Sequence, residues 1–411
     1  MAQPDLRTFD RRGILIGPAN TTLTKADHSL LLFEGSAEFL ADRVERNIDT
    51  AHLGAKPSTM RNHRAKIMGS VEIIPPATPG TLAAPYAKAI LCCAIAQTLS
   101  SDTRITRYTP VSSGMPLADA QWWHAGIFAD VYDIAGDLSE INCEIGQRIT
   151  AKLDLEGPFD EISEDDVPSD FVLTAFVEPT VCAHDNSTLI LNSLGDAAIS
   201  DLHLRAKQLR ASFGNEKAVK EYTEYKKGQV SKRAGSFSFR IADTDLDDFN
   251  PEAFKRSREL LTLEWKLSES DGRYTIVGVR GQVDEIKRVD IEGDTGWEIS
   301  GPAIPSSSGN DEIWIEHGDD TFALNGTLNG GVNGVAYVAD GLVASGVYTA
   351  PLTWDISTGT LPTGLSINAS TGQITGTPSG GAGTSNFTVR ATDSTSGTAL
   401  VATKATSIVV A

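Results

Sequence analysis

The sequence predicts a mainly β chain: two tandem units, each a β-sandwich or barrel flanked by one helix, followed by a smaller C-terminal β-sandwich. Three observations predict it. The body repeats one order of elements. Its apolar residues change from a helical period to a period of two after each helix. Residues 322–411 carry Gly, Pro and small polar residues at turn spacing between short apolar strands. At 411 residues the chain is long enough for two or three domains with full cores.

The first unit is assigned to residues 1–160. His63-Arg64-Ala65-Lys66 opens an extended stretch, Ile67 to Ile74, followed by an excursion with Pro75, Pro76, Pro79 and Gly80. A helix then begins near Pro85, with Tyr86, Ile90, Cys93 and Ala94 on one face. A loop around Ser112 to Trp123 has no counterpart later in the chain. Ile149, Ala151, Leu153 and Leu155 alternate with polar residues as a half-buried strand does, and the unit closes on Leu155-Glu156-Gly157-Pro158. Asp160 to Asp170, rich in acids, reads as a connector.

The second unit, residues 161–305, repeats the order. Lys232-Arg233-Ala234-Gly235 opens an alternating strand, Ser236 to Ile241, and an acidic excursion follows with Asp243, Asp245, Asp247 and Asp248. Asn250 is placed to cap a helix whose first position is Pro251, where a missing N–H costs nothing, and Glu252 suits the positive helix end. Leu261, Leu263, Trp265 and Leu267 alternate with Thr262, Glu264 and Lys266. Asp271-Gly272 turns the chain into Tyr274 to Val279 as a hairpin. The unit ends on Ile299-Ser300-Gly301-Pro302, like the first. The Ser-rich stretch from Pro302 to Asp320 reads as a linker, assigned to residues 306–321, to the terminal domain at 322–411.

Charge is concentrated in the body. The net is −19, from 54 acids and 35 bases, of which residues 322–411 supply only −1. A strongly acidic body excludes tight electrostatic binding to nucleic acid, which needs clustered Lys and Arg. The first twenty residues hold Asp5, Arg7, Asp10, Arg11 and Arg12 without an apolar segment, so no secretory signal is expected. Ala83 to Leu99 is interrupted by Pro85, Lys88 and Gln97, so no membrane insertion is expected either. Cys92, Cys93, Cys143 and Cys182 lack metal-ligand spacing and are expected as buried, reduced thiols of a protein made in a cytoplasm.

Motifs for chemistry are missing. There is no GxxxxGK[ST], no GxSxG and no HExxH, and the seven histidines are scattered. Asp243-Thr244-Asp245-Leu246-Asp247-Asp248 imitates a calcium loop. It has Asp248 where glycine is needed and Phe254 where a bidentate Glu is needed. Trp122-Trp123 is the one dense aromatic pair, expected under a strand or at a subunit contact rather than as a sugar platform. No catalytic, cofactor-binding or metal-binding residue is assigned, no cofactor is implied, and the chain is expected not to be an enzyme.

Two resemblances organise these observations. Leu361-Pro362-Thr363-Gly364-Leu365-Ser366-Ile367-Asn368, Thr371 to Pro378, Trp354 and Phe387 to Asp393 resemble the immunoglobulin-like domain of bacterial surface and phage virion proteins. The body resembles the major tail tube protein of long-tailed, siphovirus-like bacteriophages, in the variety with a duplicated tube fold. The resemblance rests on Arg64 to Ile74 and its loop, the helix at Pro85, Tyr108 to Ser113, and Ala129 to Gly157.

That resemblance implies a structural virion protein, made in the host cytoplasm, whose stacked rings form a conduit for DNA. Two folds per chain imply trimeric rings with pseudo-sixfold symmetry, hexamers being less favoured. It implies tape measure, tail tip and tail terminator proteins as partners, transient non-specific passage of DNA, and an acidic lumen that repels phosphate. Pro75 to Ala84 and Ala242 to Phe249 become candidates for contacts between rings. The immunoglobulin-like domain would project outward, with at most weak contact with host glycans. The competing class is a secreted or surface β-rich adhesin or carbohydrate-binding protein.

Overall fold

Alternating apolar residues give the body its strands, and a computed structural model shows how they pair. It describes residues 12–45, 58–77, 81–82, 84–100, 105–165, 167–168, 179–195, 199–346, 348–394 and 399–411. Pro79, Gly80, Ala83 and Asp170 of the expected connections lie outside the described residues.

The first half contributes β1 (Arg12–Pro18), β2 (Phe33–Glu45), β3 (Ser58–Glu72), β4 (Ile95–Ser100), β5 (Ile105–Pro110), β6 (Ala118–His124), β7 (Ile127–Glu144) and β8 (Thr150–Glu164). Its helices are α1 (Lys25–His28) and the five-residue α2 (Ala87–Leu91). The remainder of the body contributes β9 (Ser187–Ser193), β10 (Leu202–Leu204), β11 (Ala206–Ser212), β12 (Asn215–Glu221), β13 (Lys226–Arg233), β14 (Ser236–Ala242) and α3 (Pro251–Ser257). It closes with β15 (Leu260–Ser268), β16 (Arg273–Gln282), β17 (Glu285–Ile291), β18 (Asp294–Pro302) and β19 (Ile313–Asp319).

Two antiparallel sheets result. The larger runs β17-β18-β14-β11-β7-β8-β3-β2, with β6 on the first part of β7 and β1 on β6. The smaller runs β10-β9-β15-β16-β19-β5-β4. Their facing side chains form one core, including Ile67, Leu138, Leu153, Phe239, Trp265 and Ile315. In β15 the alternation is complete: Leu261, Leu263, Trp265 and Leu267 are buried while the residues between them are half-exposed. The α3 start is as the sequence predicts, since the Asn250 side chain accepts from Ala253 N at 3.1 Å and Pro251 follows it.

One strand order occurs twice in the larger sheet. The first half supplies β2-β3-β8-β7 and the second β11-β14-β18-β17, and β7 joins β11 edge to edge. The paired Gly-Pro endings mark the same place in each, because Arg64 and Ala65 face Pro158 and Gly157 as Ser236 and Phe237 face Pro302 and Gly301. Leu40 faces Arg64 as Ser212 faces Ser236, so the inserts between these places, 41–63 and 213–235, have equal length. In the second insert the chain turns at Gly214 (φ 62°) and forms the β12–β13 hairpin.

Four expectations are corrected. The stretch read as a linker, 306–321, contains β19, which is buried along its whole length between β16 and β5. A strand covered on both faces shows no polar alternation, and Glu316, His317 and Asp319 made this one look solvated. The second half of the stretch read as a Ser112–Trp123 loop is strand β6. The boundary at 160/161 falls inside β8. His63-Arg64-Ala65-Lys66 lies within β3 whereas Lys232-Arg233-Ala234-Gly235 ends β13 and turns into β14, so those tetrapeptides are not equivalent.

The C-terminal domain has its own core of Trp354, Ile374, Phe387, Val389, Ala391, Ile408 and Val410 among others. One three-stranded sheet pairs Thr353–Gly359, Gly383–Thr392 and Val401–Val410; another pairs Asp340–Gly341, Gln373–Gly376 and Leu365–Ile367. Gly372 (φ 71°) lies so close to the Trp354 ring that a Cβ there would meet it at 2.6 Å. Between β19 and this domain, Asp320 is fixed to the body by Lys266 at 2.6 Å and by its own N–H to Gly272 O.

Candidate self-assembly edges

Among the described residues the main run of the larger sheet ends on two strands with one unpaired side each, β17 and β2, while its β6 branch ends on β1. Unpaired strand edges present rows of free N–H and C=O groups and template pairing with another chain. Both carry charge along their length: Glu285, Lys287, Arg288 and Asp290 on β17, Glu38, Asp42 and Arg43 on β2. Arg288 is held by Asp243 in a two-bond pair at 2.7 and 3.0 Å and lies over the Trp297 ring at 4.2 Å. Asp243 is thereby held below the usual carboxylate range, chiefly by the hydrogen bond from Arg288.

On the face away from the core, cations are engaged by carboxylates of the same face. Arg64 lies 3.0 Å from Glu156, Lys66 3.5 Å from Asp154, Lys152 2.9 Å from Glu140 and Arg240 2.7 Å from Glu298. These sit across neighbouring strands, where opposite charges support register. Asp137, in the middle of β7 opposite Asp154, has its carboxyl pushed up by burial, against the Asn215 N–H and Lys217 that favour its charged form.

The two halves are locked together by buried polar groups. His317 on β19 contacts Tyr86 Oη through Nε2 at 2.5 Å and Thr275 Oγ1 through Nδ1 at 3.0 Å. Burial depresses its pKa to about 3, so the imidazole is neutral. Glu316 accepts from Arg107 Nε at 2.8 Å and from Tyr274 Oη at 3.1 Å. Arg233 Nε donates to Glu312 at 2.5 Å while its other nitrogens donate to Val111 O and Asn310. Val111 belongs to the first half, so this guanidinium ties the base of the β12–β13 hairpin across the molecule.

Trp122 and Trp123 are buried in β6, Trp123 donating to Asp165 at 3.1 Å, as the sequence predicts. The four cysteines are buried and unbridged. Among the described residues no three His, Cys, Asp or Glu side chains converge as metal ligands, and no helix is long and apolar enough to cross a membrane. Of the two excursions named as contact candidates, the described residues include exposed Leu82 and Leu246 as well as parts packed on their own chain. Pro75 and Pro76 are buried, with Arg273 donating to Pro76 O, and Phe249 packs on Phe254 at 5.5 Å between ring centroids. Sequence reasoning missed β17 and β2 as the open edges. Their only signals are the shared Gly-Pro endings and the equal inserts.

The family model described as "Putative Ig domain" matches residues 329–410, which lie in the C-terminal domain. No curated protein matches this chain.

Proposed function

We propose that this chain is a structural virion protein that polymerises as stacked rings into the tail tube of a long-tailed phage, through which DNA passes. The observation carrying the proposal is the repeated strand order of the larger sheet. Its two runs meet at β7–β11, and the outer ends β17 and β2 are the counterparts of the strands that meet. The same contact made between chains is heterologous and propagates until it closes into a ring.

Three chains contribute roughly twenty-four strands, which at a spacing of about 4.8 Å and a tilt of about 40° enclose a barrel about 50 Å across its backbone, wider than a DNA duplex. If the face away from the core lines that channel, Lys66, Arg64, Lys152 and Arg240 meet passing phosphates already neutralised by Asp154, Glu156, Glu140 and Glu298. The body's net negative charge then leaves DNA without a sticky wall. A tube interior mapped as net basic would contradict this. The immunoglobulin-like domain sits outside the tube, and tape measure, tail tip and terminator proteins are the partners the resemblance implies.

Electron microscopy of the purified full chain tests the reading. Hollow filaments with three chains per ring are expected. Six chains per ring would overturn the trimer. A chain that stays monomeric up to high concentration, alone and with virion tail tips as initiator, would overturn the tube.

A further inference from the structure

Inside one chain, β11 lies on β7 with Leu209 opposite Cys143, Arg210 opposite Asn142 and Ala211 opposite Ile141. The strand registers identify what occupies the same places at the free ends. Ala37 and Phe39 face Ile67 and Ala65 as Leu209 and Ala211 face Phe239 and Phe237, so Glu38 stands where Arg210 does. Counted back from the shared Gly-Pro, Ala151 on β8 corresponds to Thr295 on β18. Ile141 and Asn142 face Ala151 and Thr150, and Asp290 and Ile291 face Thr295 and Asp294. Ile291 therefore stands where Asn142 does.

The insert supplies a second, independent contact. Residues 213–235 do not hang free but lie on β7 and β8. Asn215 N–H donates to Asp137 at 2.8 Å, Lys217 Nζ lies 2.6 Å from Asp154, and Gly228 packs against the backbone of Asp133 and Ala135. The position of Asp137 is held by Lys287 on β17, and that of Asp154 by Glu298 on β18, which is paired with Arg240.

We propose that a second copy of this chain docks head to tail on β17, laying its β2 along that strand with Glu38 opposite Ile291. The proposal deepens the tube reading and takes from it only that copies associate edge to edge. Ile145 N donates to Lys207 O, which makes the Arg210–Asn142 place a non-hydrogen-bonded pair. Cα atoms in such a pair lie about 4.5 Å apart, within reach of a disulfide.

Full-length chain carrying Glu38→Cys and Ile291→Cys is therefore expected to cross-link between copies on oxidation, while Glu38→Cys with Val289→Cys cross-links at least tenfold less. Unchanged circular dichroism of both double variants is the check on folding. Rings that form without the 38/291 cross-link, or that link equally through 38/289, overturn the register and leave the tube reading standing. A chain that never associates overturns both proposals.

Discussion

His317 offers the sharpest test of how the body is held together. It lies on β19, is 2% exposed, and bridges Tyr86 of the first half to Thr275 of β16. Burial is the main cause of its depressed pKa of about 3; Arg273 adds to the depression and a backbone hydrogen bond at Tyr274 opposes it. In the unfolded chain the same imidazole titrates at about 6.5. Between these values only the unfolded state takes up the proton, so stability is full above pH 6.5 and falls as pH drops towards 3. At pH 5 the loss is about 2 kcal/mol, from roughly 1.4 kcal/mol for each pH unit below 6.5. Urea unfolding of the full chain and of His317→Gln at pH 7.5, 6 and 5 isolates this slope from that of the carboxylates. The variant is expected to start less stable and to lose about 2 kcal/mol less over that range. Proton NMR adds a direct reading, with the His317 ring expected to show no titration above pH 4. A midpoint near 6.5 in the folded protein, or equal pH slopes for both proteins, would refute the buried bridge.

Other outcomes follow from single contacts. Arg233→Ala leaves Glu312 buried without its partner and is expected to cost about 3 kcal/mol in chemical denaturation, with Glu312→Gln in the same chain recovering part of it. Asn250→Ala removes the α3 cap and is expected to cost about 1 kcal/mol by the same measurement. Ending the chain at Asp320 keeps β19 and the Lys266 pair, so ring formation seen by electron microscopy is expected to survive. Ending it at Pro305, just before the expected linker, removes β19 and is expected to abolish folding of the body.

Where a residue's neighbours in the chain decide its structure, the sequence alone was enough. Asn250-Pro251 starts a helix, Asp271-Gly272 (φ 90° at Gly272) turns a hairpin, and Leu261 to Leu267 alternates because one face of β15 is less covered than the other. Trp122 and Trp123 are buried in β6 together with Ala118 and Ala120. What was hidden depends on distant partners. β19 is covered on both faces, so its Glu316 and His317 looked solvated until Arg107, Tyr274 and Tyr86 came into view from elsewhere in the chain. The open edges were hidden more deeply, since an edge is defined by the strand that is absent beside it. The tandem order was visible as a list of elements, but the tetrapeptides used to align it were out of register; the Gly-Pro endings, which sit opposite equivalent residues, were the true marker.

The burial of β19 has a mechanical consequence. The C-terminal domain is attached through the end of a strand clamped lengthwise between β16 and β5. Drag on that domain pulls along the strand axis, so the load is shared at once by both ladders in shear instead of peeling one bond after another. A peripheral lobe anchored in this way can be tugged hard without being stripped from its base.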